Sequence, residues 1–391
     1  MLRECKANII IMVAAAGIII LMFFTADFQG GKAANREGRL LAAFPNIRSE
    51  TGINLKWVYD FENWLKDNLG LREKLIQINY QCRWKLFGMV EDQKYLVENN
   101  GWGFYIDAED GNCISDYEGS NRYSEEEAEF IGKNIKKFVD AYKKLGYQEV
   151  YFIVTPSRMH VESEFVPDKY VRMHKEGRCE QICKYIKKEF GINVIYPKSS
   201  LIRFQSEQEK RVYYKYDIHW NRLGAYVAAN ELLNQMGKKQ IQMEDCDIYQ
   251  MQIQEPFGLA TGLWVEKEIG EIPLDTYAGF RNGVVTNSIG KNQEEIINTD
   301  EDIYFTCTEP FIHLTALVAG DSNRLALTGF VPHIFSETRM MITGEKAKES
   351  LLDMQNKDIL ILIQDERYFP VSLNAYMPPC IQEYGVEYFH R

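Results

Sequence analysis

Basic residues are in the minority. The 391-residue chain carries 45 Lys and Arg against 56 Asp and Glu, a net charge of −11, and it has no arginine-rich stripe. Nucleic-acid binding is driven by Lys/Arg contacts to phosphate and the counterions they release, so this balance excludes DNA and RNA as partners. Histidine is scarce, at six copies, and no H-E-x-x-H or C-x-x-C occurs, so no structural or catalytic metal set is complete. The chain also lacks a P-loop and a G-x-G-x-x-G after a strand, which leaves nucleotide readings without support and implies no cofactor. With 46% hydrophobic and 26% charged residues it is neither disordered nor fibrous. At about 150 residues per domain the length allows two domains or one enlarged α/β domain.

Long apolar runs are absent except at the start. From Ala7 to Ala26 there is no charged residue, and at about 1.5 Å per residue this run spans roughly 30 Å, the thickness of a bilayer core. Arg3 and Lys6 precede it and Asp27 follows, so the positive-inside rule puts residues 1–6 in the cytoplasm. Residues 7–26 then read as a transmembrane signal anchor in the cell membrane, 27–50 as a tether, and 51–391 as one extracytoplasmic domain. A cleaved signal peptide is the competing reading. Its apolar region is usually only about 7–15 residues, and no small-x-small site follows this one. Seven of the eight cysteines lie beyond the anchor, an odd number that rules out a fully paired disulfide framework without loss or intermolecular pairing. Cys179 and Cys183 are four apart and share a helical face, which reads as packing.

Residues 57–87 carry Trp57, Phe61, Trp64, Leu65 and Leu69 at helical spacing. Lys94–Val97 and Trp102–Ile106, split by Glu98-Asn99-Asn100-Gly101, read as a β-hairpin. Ser124 with Glu127 forms a capping box that opens a helix to about Leu145. Then Glu149–Thr155 is an apolar strand closed by Pro156, Glu176–Phe190 a helix, Ile192–Tyr196 a strand, Val212–Tyr214 a strand, and Arg222–Met236 a helix. Residues 240–300 look like an irregular insertion. Leu314–Ala319 is a strand, Leu325–Phe335 a helix broken or ended by Pro332, and Asp358–Ile363 a buried strand. This alternation predicts an α/β fold with a parallel sheet flanked by helices.

Two segments carry candidate chemistry. In Val318-Ala319-Gly320-Asp321-Ser322 an apolar strand runs into Gly-Asp-Ser, so a serine stands at the carboxyl edge of the sheet with helix-start N–H groups nearby for an oxyanion. The alternative is that Asp-Ser is only a helix cap. In Tyr216-Asp217-Ile218-His219-Trp220-Asn221, a carboxylate stands two residues before a histidine at the entry to a helix. A hydroxyl nucleophile needs a base near neutral pH, and the base needs a carboxylate to orient it. His219 and Asp217 supply what Ser322 lacks. His160, His313 and His333 rank lower as site residues. Tyr213, Tyr214, Tyr216, Trp102, Tyr105 and Trp220 would make a sugar-stacking face if they cluster, although core packing suits each alone.

The pairing of D-x-H-W-N-x-x-G-x-Y (Asp217 to Tyr226) with a later G-D-S (Gly320 to Ser322) resembles the AlgJ/AlgX-like, or DHHW, family of SGNH-hydrolase-like proteins. Asn100-Gly101-Trp102-Gly103-Phe104-Tyr105 resembles its D-G-W-L-F-Y hairpin, Thr155-Pro156-Ser157-Arg158 its P-x-K segment, and Glu366-Arg367-Tyr368 its E-R-Y. The resemblance covers roughly residues 55–370. It implies an SGNH-like fold in permuted order, Asp and His before Ser, with Ser322 as nucleophile, His219 as general base and acid, and Asp217 as orienting carboxylate. It also implies O-acetylation of an exported polysaccharide, a glycan acceptor, and an MBOAT-type membrane acyltransferase as donor partner. Arg158, Tyr216, Trp220 and Asn323 are candidates for oxyanion or substrate contacts. Asn323-Arg324 replaces the usual Phe after the serine, Arg158 the usual lysine, and Gly103 the Leu of the hairpin. Three readings remain open at this point: an acetyltransferase, an esterase that removes acetyl groups, and a non-catalytic glycan-binding scaffold.

Overall fold

A computed structural model gives the fold, and it describes residues 2–28, 31–34, 39–49, 52–98, 102–252, 262–265, 274–281, 285–287, 303–342, 351 and 358–390. The chain divides into two compact units. The first comprises residues 1–92, 97–99 and 257–270, and the second 93–96, 100–256 and 271–391.

In the first unit Leu2–Phe24 is one helix. The side chains of residues 2–11, which include Arg3, Cys5 and Lys6, lie outside the description. Among the described residues no helix is long and apolar enough to cross a membrane. The periodic run 57–87 resolves into two helices, Trp57–Asn68 and Arg72–Phe87. The break falls at Leu69–Leu71 because Leu71 takes a left-handed φ of 63°, and a Cβ on Gly70 would lie 1.8 Å from the Thr25 hydroxyl. Trp64, fully buried, gathers Phe28, Phe44 and Phe61 around it at ring distances of 4.8–5.4 Å.

The second unit is built on a seven-stranded sheet. Its strands are β1 (Glu149–Thr155), β2 (Asn193–Ile195), β3 (Val285–Asn287), β4 (Ile303–Cys307), β5 (Ile312–Gly320), β6 (Phe335–Ile342) and β7 (Ile359–Asp365), in the order β3-β4-β6-β5-β7-β1-β2. The five from β6 to β2 are parallel, whereas β4 runs antiparallel to β6 and β3 to β4. The sheet is therefore mixed, which corrects the all-parallel expectation. β6 is a further correction. It begins where a helix over Leu325–Phe335 was expected to end, and it is buried on both faces, by Thr338 and Met340 on one and by Phe335 and Met341 on the other. The segment between β5 and β6 holds only a 3₁₀ helix, Ser322–Gly329, and a short turn of helix at Val331–Ile334. Of the insertion at 240–300, only 240–252, 262–265, 274–281 and 285–287 are described, with Cys246–Gln252 paired antiparallel to Leu274–Phe280.

Helices α1 (Glu125–Lys144), α2 (Arg178–Phe190), α3 (Lys198–Gln208) and α4 (Arg222–Gln235) accompany the sheet. The capping box at Ser124 and Glu127 forms as expected. From α1, Ile135, Phe138 and Tyr142 pack with Ile182 and Ile186 of α2 against Val150, Phe152 and Val154 of β1 and Leu360 and Leu362 of β7. The alternate residues Ile153, Ile361 and Ile363 are also buried, so these strands are covered on both faces, which is why they read as unbroken apolar runs. Strands form at Tyr95–Glu98 and Gly103–Tyr105, while the turn at 99–101 lies outside the described residues. Val212–Tyr214 is not a strand. It contributes only an isolated bridge, Tyr213 to Trp220.

Register decides what meets at the top of the sheet. Gly320 of β5 pairs with Ile363 of β7, and Asp365 of β7 with Thr155 of β1. The three parallel strands thus end together, and they release Asp321-Ser322, Glu366-Arg367 and Pro156-Ser157-Arg158 at one edge. Such carboxyl edges are where open α/β sheets place their sites. Gly320 permits the close approach, since a Cβ there would sit 2.8 Å from the Ile363 carbonyl oxygen.

Candidate functional site

Ser322 opens the 3₁₀ helix that follows β5, and it is exposed. The helix cap is Asp321, whose Oδ1 accepts from the Asn323 N–H at 2.9 Å while its Oδ2 accepts from the Asp365 N–H at 2.6 Å. Capping therefore occupies the aspartate and leaves the serine hydroxyl to other partners.

A tight loop brings the histidine. The Asn221 N–H donates to the Val212 carbonyl at 2.9 Å and the Tyr214 N–H to the His219 carbonyl at 3.3 Å, so residues 212–221 double back. Asn221 ends the loop by capping α4, its Oδ1 accepting from the N–H groups of Leu223 and Gly224. Gly224 is glycine because a Cβ there would lie 2.8 Å from the Val212 carbonyl oxygen. Within the loop Asp217 Oδ1 accepts the His219 N–H at 2.8 Å and stands 2.5 Å from His219 Nδ1. The other ring nitrogen, Nε2, is 2.6 Å from Ser322 Oγ. Asp217, His219 and Ser322 thus form one continuous chain of contacts.

Two other residues hold these loops together. Trp220, buried, donates from Nε1 to the main-chain carbonyl of Asn323 at 3.0 Å, tying the histidine loop to the serine turn. Arg158, also buried, donates from Nη1 to the carbonyls of Tyr214 at 2.5 Å and Asp217 at 2.6 Å. Its guanidinium lies 5.4 Å from the Trp102 ring and 5.1 Å from Phe104. Asn323 and Tyr216 are buried beneath the same edge. The expected sugar-stacking face does not assemble. Trp102, Tyr213, Tyr216 and Trp220 are core side chains, with Trp102 stacked on Phe165 at 4.8 Å. His313 is exposed, whereas His160 and His333 are buried.

Charge is arranged around the histidine. Burial works against its imidazolium, but the hydrogen bond and charge of Asp217 outweigh it, and Asp365 and Asp321 add to them, so the His219 pKa stands above its ordinary value. For Asp217 burial pushes upward, yet His219 and the Arg158 charge hold its carboxyl below the usual range. Burial and then the charge of Asp365 raise Asp321. Asp365 is clamped by Arg367 through two bonds, of 3.0 and 3.1 Å. Neither Asp365 nor its clamp stood out in the sequence; the signal was an aspartate directly before E-R-Y at a strand end. Among the described residues no group of three metal-binding side chains occurs.

Below the edge Glu366 is enclosed, accepting a hydrogen bond from the Tyr196 hydroxyl and facing His160 Nε2 at 3.4 Å. Burial, then the charge of Asp116, pushes its pKa up to about 8. The unfolded chain releases this proton near pH 4.5 and the folded chain holds it to about 8, so stability falls as pH rises through that window. Glu366→Gln should remove this loss, and its Tm should exceed that of the parent by several degrees at pH 8 but match it at pH 4.5. Thermal melts at the two pH values test this, and an equal shift at both would refute it.

Residues 112–259 match the family model of the SGNH hydrolase-like domain of the acetyltransferase AlgX. The resemblance read from the motifs holds. Over these residues the chain is AlgX-like. The matched segment contains Asp217 and His219, and Ser322 lies beyond it. Solved structures of similar shape include a DHHW family protein from Eubacterium siraeum, 13% identical over 78% of this chain and 98% of that one, with a TM-score of 0.49. Bacillus cereus PatB1 is 16% identical over 72% and 96%, at 0.47. The O-acetyltransferase domain of Pseudomonas putida AlgJ is 13% identical over 77% and 99%, at 0.44. No curated protein sequence matches the chain.

Proposed function

We propose that this protein is a membrane-anchored, extracytoplasmic O-acetyltransferase that modifies hydroxyl groups of an exported or cell-surface polysaccharide. The contact chain from Asp217 through His219 to Ser322 carries the reading. Ser322 Oγ attacks the acyl carbonyl of the donor as His219 Nε2 takes its proton, and the imidazolium then protonates the leaving group. Asp217 keeps Nδ1 protonated, which leaves Nε2 free to accept. In the second half a sugar hydroxyl gives its proton to Nε2 and attacks the acyl-serine, releasing the acetylated glycan and restoring Ser322. The backbone N–H of Ser322 serves the oxyanion. The donor partner is an MBOAT-type membrane protein, as the family resemblance implies. The uncharged run Ala7–Ala26 between Lys6 and Asp27 supports the anchor. The exposure of Ser322 to water favours hydrolysis as the second reading; acetyl that never appears on an added glycan would select it.

The test uses the full chain in detergent and a fluorophosphonate, followed by peptide mass spectrometry. Labelling should fall on Ser322 and vanish in His219→Ala. Because the base works only as neutral imidazole, and the His219 pKa is raised, the labelling rate should climb with pH along a limb centred above 6.5. Labelling elsewhere, or a limb unaffected by Asp217→Asn, would overturn the assignment.

A further inference from the structure

Helix Arg72–Phe87 buries none of its residues. One stripe of it is apolar and open: Leu71 and Leu75, each 41% exposed, Ile78 at 52%, Cys82, and Leu86 at 74%. Spacings of four, three, four and four keep these residues on one helical face. Lys74 and Lys85 flank the stripe on one side and Arg72 and Arg83 on the other. The helix carries four basic residues and one acidic residue, Glu73, in a chain whose net charge is −11.

The place where this helix starts is fixed within its own unit. The Gly70 N–H donates to the Met22 carbonyl at 2.9 Å and the Asp27 N–H to the Asn68 carbonyl at 3.0 Å. The Trp64 indole N–H donates to the Asp27 carbonyl at 3.1 Å, and a Cβ on Gly70 would strike the Thr25 side chain. Leu71 is therefore held against the end of helix Leu2–Phe24. If Ala7–Ala26 spans the bilayer, as proposed above, that end lies at the outer membrane surface and the stripe begins there.

We infer that helix Arg72–Phe87 is a second membrane contact, lying in the plane of the bilayer with Leu71, Leu75, Ile78, Cys82 and Leu86 at the acyl boundary. Lys74 and Lys85 reach anionic headgroups from one edge, while Arg72 and Arg83 on the other donate to the Lys66 and Glu91 carbonyls at 3.0 and 2.8 Å and fix the helix to its unit. The opposite face carries Ile76, Tyr80 and Trp84, all half-buried, so the stripe is the side that the unit leaves open; lysines at its edge can extend outward while their stems cover lipid. A second copy of this chain fits less well. A helix-pairing seam alternating four and three would continue from Cys82 to Lys85, a lysine where an apolar knob is needed. The inference rests on the anchor reading and adds an orientation to it, since two contacts restrict the pivoting of the first unit about a single span.

The stripe supplies its own probe site, Cys82, an exposed free thiol. The full chain with Cys5→Ser and Cys380→Ser is reconstituted in phosphatidylcholine vesicles containing phosphatidylglycerol, and Cys82 is labelled with an environment-sensitive fluorophore. A control chain has Cys82→Ser and carries the label at Glu73→Cys, on another face. Lipids brominated near the headgroup should quench the Cys82 probe several-fold more than the Glu73 probe, and Ile78→Glu should reduce that quenching with the circular dichroism unchanged. Equal quenching of both probes by aqueous iodide, in protein that stays with the vesicles through an alkaline wash, would overturn the interfacial helix and leave the anchor standing. Release by the wash after normal lipid quenching would overturn the anchor alone. Efficient Cys82-to-Cys82 cross-linking would assign the stripe to a second copy and overturn the lipid assignment.

Discussion

Ser322→Ala should lower acyl transfer by at least about three orders of magnitude while leaving Tm within a degree or two of the parent. The kinetic size follows from serine–histidine–aspartate systems, in which loss of the nucleophile leaves only the catalysis supplied by the oxyanion site and substrate binding. The small stability effect follows from the structure. Ser322 is exposed, and its helix is capped by Asp321 through the Asn323 N–H, so alanine removes neither a core contact nor a cap. If Asp-Ser were only a helix start, the same substitution would change neither rate nor stability appreciably. His219→Ala should match Ser322→Ala, and the double variant should be no worse than either, because groups acting as one unit are not additive. Steady-state transfer to a glycan acceptor, paired with thermal melts, tests all three chains. Full activity in well-folded Ser322→Ala would dispose of the acyl-enzyme.

How much of this was legible in the sequence depended on how local each relationship is. The Asp217–His219 partnership spans two residues inside one turn, so spacing alone could suggest it. The Ser322–His219 contact spans 103 residues, and what creates it is the register of parallel strands, which no local pattern encodes. There the motif resemblance did the joining. The buried strands Glu149–Thr155 and Ile359–Asp365 were readable because coverage on both faces demands unbroken apolar runs. β6 was missed for the opposite reason. Its sequence, FSETRMMI, sets the charged Glu337 and Arg339 among its apolar residues, and it follows a proline-broken segment that mimics the end of a helix. The glycine and tryptophan of D-x-H-W-N-x-x-G were recognised as a pattern without their physics. Gly224 lets α4 approach the Val212 carbonyl, and Trp220 reaches across to Asn323.

Arg158 was placed among the oxyanion or substrate contacts, and its surroundings argue for a different part. Arg158→Met should cut kcat about a hundredfold, the size expected when reacting groups are misplaced by about 1 Å, with little change in KM. Removing one member of a buried charged set should also lower stability by about 3–5 kcal/mol. Arg158 is 4% exposed, and the bonds of its guanidinium go to the Tyr214 and Asp217 carbonyls, the two sides of the loop that presents His219. Burial lowers its pKa to about 10, with the charges of Asp217 and Glu162 resisting, so it remains a cation at neutral pH. Methionine would fill the space between the rings of Trp102 and Phe104 but would offer no donor and no charge. The two carbonyls would lose their partner, and Asp217 would lose a charge that helps keep it ionised. A less firmly ionised Asp217 would support the His219 imidazolium less, so the rise in labelling rate should move to lower pH in the folded fraction. That movement separates a positioning role from simple loss of fold, which would scale the profile without shifting it. Arg158→Lys supplies a rescue, because lysine is usual at this place in the family the chain resembles and its ammonium can donate to both carbonyls. Lysine should restore most of kcat and return the pH limb to its original position. A methionine variant with full kcat and an unmoved limb would show that the loop holds its histidine without help from Arg158.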